Sequence, residues 1–480
     1  MNEVVARGRD QRECHLPGSG IVGLFPSHLV PSRRWRWLIF LFCALILQAL
    51  LLATPGYFSH DEFQWAAIAA DPERIAQTDW RAVAYAFVDW GEFQFRPLTF
   101  NLWMLLSRAL FETPHLFHAV FVLLGSLNGL LLALVLRHAG CRDGVAFGAG
   151  LAFIASPFAA WVHGWVGCLG DLLWVGFGLA TVAVLQRLGS DARSLVTAAC
   201  VATVATALGL YSKESALSIP ALLGLATLLL RFPRPWLVAT IASGLVAVAY
   251  LALRLDVLLH PGEASTYTVQ PMALPQRWGE YLIFPWALGI NEIHVLSLAK
   301  WTRVVLLALV AALLPIALWR ATPKLAFAWL AGGFLALAPV LVLSFSSNQY
   351  GYGYAALACG IAALAWMRLS RKWRAVLAAL ALVGTAHGVQ VQWNLFGIGT
   401  LQSVFSPSLA RAAQAQPQGD IRLWAEERGQ AYIYTRLSHQ IPGYRGVPLG
   451  TRVRMAAQRD EATHLIARDG TVRRVDEGTP

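Results

Sequence analysis

Charged residues are scarce in this chain: 14% of its 480 positions, against roughly 25% in an ordinary soluble domain. That excludes a freely soluble globular protein. Cysteine is sparse as well, six in all with no CxxC pair, so neither a disulfide framework nor a structural zinc site has its usual spacing. Cys14 and Cys141 fall in polar segments, and the other four lie in or beside apolar runs. There is no GxxxxGK[ST] phosphate loop and no strand-led GxGxxG, which removes the common nucleotide-binding signatures.

What is abundant is hydrocarbon. Hydrophobic residues make up 57% of the chain, and the mean hydropathy is +0.53. A bilayer core needs roughly 20 apolar residues per helix. Stretches of that kind recur at 35–53, 115–136, 144–162, 165–186, 194–211, 215–230, 235–253, 302–319, 325–345, 350–367 and 375–392. The expectation is an all-α polytopic membrane protein of about eleven transmembrane helices.

Orientation follows from Lys and Arg in the short connections. Arg33, Arg34 and Arg36 precede the first span, and each even-numbered span exits into a basic loop, as with Arg137 and Arg142 or Arg368, Arg371, Lys372 and Arg374. The intervening "HGWVG" and "SSNQYGYG" carry none. The reading is a cytoplasmic N-terminus and an outer C-terminus. The formal charge of +11 is then topological bias and implies no nucleic-acid partner. The first apolar run follows a long polar stretch without a small-residue cleavage site, so it reads as a retained anchor.

Three units emerge: a cytoplasmic segment 1–34, a transmembrane domain 35–393, and a small extracytoplasmic C-terminal domain 394–480. Two long outer loops interrupt the second unit, at 54–114 and 255–301. The first is rich in aromatics, and its "DEFQWAAIAA" and "LTFNLWMLLSRALF" read as interfacial helices. The C-terminal unit joins a polar Ala/Gln linker near 411–418 to a strand-like "AYIYT" and a hairpin pattern, "THLIARDGTVRRV", turning at Asp469-Gly470. It reads as a small α/β appendage.

Ionisable residues near hydrocarbon cost at least about 2.5 kcal/mol each when buried there, so their grouping is informative. Asp61, Glu62, Glu92, Arg96, Asp171, Lys213 and Glu214 all map to the outer ends of spans or the outer loops. A proton-coupled transporter would strand such groups near the midplane. Gathering at one end suits surface chemistry instead. With no nucleotide donor expected outside the cytoplasm, a sugar carried on polyprenyl phosphate fits. A carboxylate, Asp61 or Glu62, would take the proton of the attacking hydroxyl, and Arg96 or Lys213 would stabilise the departing phosphate.

The residues also support a resemblance. The acidic pair after the first span, "FRPLTFNLW" (95–103), "GCLGDLLWVGFGLA" (167–180) and "YSKESALSIP" (211–220), in this order over residues 35–235, resemble the GT-C superfamily of membrane glycosyltransferases. The order is particularly similar to the O-mannosyltransferase-like branch, including transmembrane proteins with tetratricopeptide repeats. That resemblance implies a GT-C-like fold, an inverting glycosyltransferase in a bacterial inner membrane, and an active site facing outward. It implies Asp61 as general base and Glu62 as neighbour or alternate. Arg96 would contact the loop or phosphate, and Lys213 and Glu214 would line the donor end. Leu169 stands where the family commonly has Arg, and the tail shows no 34-residue repeat.

Simpler roles compete at each position. Asp61 and Glu62 suit a helix first turn, Lys213 and Glu214 a structural ion pair, and Asp171 a satisfied helix opening. His60 reads as a hydrogen-bonding neighbour rather than a metal ligand, so no metal site is expected, with an assisting divalent cation left open. Alternative functions are a non-catalytic lipid or glycan transporter, or an oligosaccharide ligase or polymerase. The acceptor could be a glycan, lipid or protein hydroxyl.

Overall fold

The computed structural model describes residues 33–70, 94–260, 267–439 and 441–475. Glu92 and the remainder of the first outer loop between 71 and 93 lie outside these, as does most of the segment 1–34.

Helices dominate. In chain order they are α1 (Arg33–Leu47), α2 (His60–Ala70), α3 (Pro97–Leu110), α4 (Pro114–His138), α5 (Asp143–Ile154), α6 (Pro157–Gly164), α7 (Leu169–Leu185), α8 (Ala192–Ser212), α9 (Ser218–Leu229), α10 (Arg234–Leu259), α11 (Leu274–Ile283), α12 (Trp301–Ala321), α13 (Pro323–Leu341), α14 (Tyr352–Trp366), α15 (Arg371–Ala415) and α16 (Ala431–Ser438). Among the described residues seven helices are long and apolar enough to cross a membrane, or eight if the bent pair α5–α6 is one span. The protein is therefore a helical membrane protein. The expected count of about eleven is not reached, because three of the expected runs form shorter helices.

The shortfalls have visible causes. The first run breaks at Gln48, whose φ of −117° and ψ of 18° leave the helix. Its amide donates to Ser126 Oγ (3.1 Å) and its oxygen lies 2.5 Å from His163 Nδ1. His163 Nε2 in turn meets Tyr352 OH at 3.0 Å, and Asn128 donates to the same oxygen at 3.2 Å. All five residues are buried, so this chain of polar contacts ties α1, α4, α6 and α14 together where hydrocarbon offers no partners. The 144–162 run bends by 59° between α5 and α6, where Ser156 caps the new helix by accepting from Ala159 N and Pro157 takes its first position.

Close approach at that bend is set by Gly388 of α15. A Cβ there would sit 1.9 Å from the Ala155 carbonyl oxygen. Irregular backbone of the 255–301 segment is likewise covered: His387 reaches the Pro285 and Ile290 carbonyls, and Gln390 meets Gly289 N and Asn291.

The C-terminal unit is a small sheet in the order β4 (Val453–Met455), β1 (Ile421–Ala425), β5 (His464–Ile466), β6 (Val472–Arg474), with β2 (Gly443–Tyr444) and β3 (Val447–Pro448) as a separate pair. The hairpin expected at Asp469-Gly470 is present as antiparallel β5–β6, and Gly470 takes φ 89°. The "AYIYT" expectation is overturned. These residues open α16, burying Tyr434 and Leu437 at helical spacing where alternation over five residues had suggested a strand. The 411–418 linker is also largely helical, since α15 continues to Ala415.

Candidate functional site

The acidic pair sits in the first turn of α2. Ser59 precedes the helix and its N–H donates to Glu62 Oε2 at 3.0 Å, one half of a capping box with Ser three positions before Glu. Glu62 is 1% exposed, and its Oε1 has no hydrogen-bond partner among the described residues. Burial, aided by the charge of Asp61, pushes its carboxyl up to about 8. Asp61 is placed differently. Its side chain is 30% exposed and its Oδ1 lies 3.1 Å from His60 Nε2. The pair is thus split into a capping, buried acid and a partly exposed one.

His60 carries a conflict. Its Nδ1 faces the Arg436 carbonyl at 3.2 Å while Nε2 faces Asp61. Two acceptors are served at once only by an imidazolium, yet burial lowers its pKa, opposed by Asp61 and reinforced by His439 and Arg436.

Arg436 and His439 come from α16 and its C-terminal end, more than 370 residues downstream. Arg436 Nε donates to Ser59 Oγ at 3.2 Å, and its guanidinium lies 4.1 Å from the Phe58 ring centroid and 4.9 Å from that of Trp165. The His439 ring meets His60 edge-on at 5.2 Å. Below, Tyr57 N donates to Gln402 Oε1 at 2.7 Å. Gly56 permits this, since a Cβ there would be 2.2 Å from that oxygen.

The basic group assembles around the start of α3 and the end of α8. Pro97 sits at the first position of α3, leaving Arg96 at its entry with Nε and Nη2 on Glu214 Oε2 at 2.9 and 2.7 Å. Lys213 is extended, φ −165° and ψ 142°, so Lys213 and Glu214 project apart. Lys213 Nζ pairs with Asp171 Oδ2 at 2.5 Å, both buried, and lies 4.8 Å from the Tyr350 ring centroid. Gly170 lets α7 approach, because a Cβ would be 2.7 Å from the Ser212 carbonyl oxygen that accepts from Thr99 Oγ1.

Arg96, Lys213, Glu214, Tyr267 and Tyr350 line one cavity of about 160 Å³. Glu214 Oε1 is buried without a hydrogen-bond partner among the described residues. Part of the cavity wall comes from the 255–301 segment, held by the Val269–Leu343 bridge and the Gln270 N to Val342 O bond at 2.7 Å.

His60, Asp61 and Glu62 do not line this cavity. The two groups are nevertheless neighbours. Buried Cys168 lies within electrostatic range of Asp171 and Lys213 and also of Glu62 and Arg436, and α2 packs on α3 through Trp65 against Phe100 at 4.7 Å and Trp103 at 4.9 Å. Among the described residues no group of three or more His, Cys, Asp or Glu is arranged to hold a metal ion. Compared with known protein families, curated proteins and solved structures, the chain matches none.

Sequence reasoning missed Arg436, His439, Tyr267, Tyr350 and Arg254. Arg254, fully buried with its guanidinium 5.2 Å from the Phe95 ring centroid, was hidden because the seventh apolar run was ended at 253, whereas α10 continues to Leu259. Tyr350 had a signal in "NQYGYGY", an aromatic-rich stretch read only as a charge-free connection.

Proposed function

We propose that the protein is a membrane glycosyltransferase that moves a sugar from a polyprenyl-phosphate donor to an acceptor hydroxyl at the outer face. The supporting observation is the pairing of a partly exposed carboxyl group, Asp61, touching His60, with a neighbouring cavity walled by Arg96 and Lys213. Asp61 accepts the proton of the acceptor hydroxyl as its oxygen bonds to the anomeric carbon. The bond from that carbon to the phosphate oxygen breaks, and the electron pair leaves on polyprenyl phosphate. Arg96 and Lys213 hold the developing charge. Glu62, occupied as a cap and with its carboxyl raised to about 8 chiefly by burial, supports the helix rather than serving as base.

The test is reconstitution in vesicles with a panel of polyprenyl-phosphate sugars, following release of polyprenyl phosphate. Asp61→Asn is expected to lose about a hundredfold or more while folding normally. Retained turnover refutes the base assignment. Lipid or glycan movement that survives the Asp61→Asn and Glu62→Gln double variant would instead favour a transporter.

A further inference from the structure

A second cavity, far larger than the first, shares no lining residue with it. It measures about 820 Å³ and is bounded by α5, α14 and α15, with Arg142 and Trp366 at one end and Phe158, Pro285 and Tyr354 at the other. Its lining on α14 runs from Tyr354 to Trp366, about 18 Å along the helix axis. Small residues hollow it out, among them Gly144, Gly148, Ala358 and Ala362. Small residues in membrane helices ordinarily let neighbours close up. Here a Cβ added at Gly144 or Gly148 would meet nothing within 4 Å, so these positions face open space rather than a neighbouring helix. Gly144, Gly148 and Leu382 are exposed, so the groove opens sideways toward hydrocarbon.

Its mouth is cationic. Arg142 lines the groove and is exposed. The adjacent Asp143 is already engaged by Arg36 at 2.6 Å and Arg137 at 2.7 Å. Arg374 donates to the carbonyl of Trp366, another lining residue, at 2.9 Å. An apolar bore ending among arginines at helix ends is complementary to an anionic lipid, its acyl chain along the bore and its phosphate at the mouth.

We propose that this groove is a binding site for an anionic phospholipid, separate from the transfer site and independent of the reaction assigned there. Arg142 and Arg374 hold the headgroup phosphate, and the α5–α14 face receives the chain.

The experiment uses the full chain purified in detergent, with phosphatidylglycerol or phosphatidylcholine added. Retained lipid is read by native mass spectrometry and the unfolding midpoint by a thermal scan. Phosphatidylglycerol is expected to be retained preferentially and to raise the midpoint. Arg142→Gln should weaken retention by about fivefold; its side chain makes no cap bond to α5, so the helix start survives. Gly148→Leu fills the bore at a position with room for it and should abolish retention with the fold intact. Equal retention of phosphatidylcholine, an equal midpoint shift from inorganic phosphate alone, or full retention by Gly148→Leu overturns the proposal. So does a lipid-free dimer whose formation Gly148→Leu blocks, since a second copy would then be the occupant.

Discussion

At the scale of single residues, the acidic pair divides its labour through burial. Glu62 sits at about 8 in the folded protein against an ordinary 4.5, burial being the main cause. The folded state therefore keeps a proton that the unfolded chain gives up. Stability is fullest below about 4.5 and falls as pH climbs toward about 8. Glu62→Gln preserves the cap, since Gln serves that position as well, and removes the titration. Its unfolding midpoint in detergent should fall less than the wild type's between pH 5 and pH 8.5. A parallel decline in both would show that other groups carry the pH dependence. Arg436→Ala removes the stack on Phe58 and Trp165 and the bond to Ser59, a loss of about 1 kcal/mol. Faster amide exchange over residues 57–64 is the expected readout, and unchanged exchange would show that α2 is fixed without α16. The acidic pair, Arg96 and Lys213 were legible as charges stranded beside apolar runs. Arg436 was not, because an arginine in a polar tail carries no signal until the tail folds back.

Among helices and strands, steric fit decides. Gly388 faces the Ala155 carbonyl, whereas a Cβ at Gly397, on the same α15, would meet nothing within 4 Å. Gly388→Ala should cost about 1–3 kcal/mol by forcing α15 from the α5–α6 bend. Gly397→Ala should be neutral or stabilising by up to about 1 kcal/mol. Thermal midpoints of the two variants check this, and equal behaviour would refute the packing account. Hydropathy located most helices because each span averages over many residues. It failed where one polar contact changed the outcome, as at Gln48, and where a short stretch such as "AYIYT" fitted two periods and only packing against Phe405 by Tyr434 (5.0 Å between ring centroids) distinguished them.

For the molecule as a whole, the arginine-rich connections argue that the α4–α5 and α14–α15 turns face the cytoplasm and the sheet faces outward. In intact cells a cysteine introduced at Asp460, in an exposed turn of the sheet unit, should react with an impermeant maleimide, while one at Lys372 should react only after permeabilisation. The reverse pattern would invert the molecule and the site's sidedness with it. The membrane class was written in composition. The docking of α16 on α2 was not, because it depends on how far a single helix runs.

That helix, α15, spans Arg371–Ala415, about 67 Å, more than twice the hydrocarbon thickness of about 30 Å. It behaves as a crankshaft between the α14–α15 turn and the C-terminal sheet. Each added or deleted residue along it rotates everything beyond by about 100°, so the angular phase of one rod decides whether Arg436 of α16 meets the first acidic helix at all.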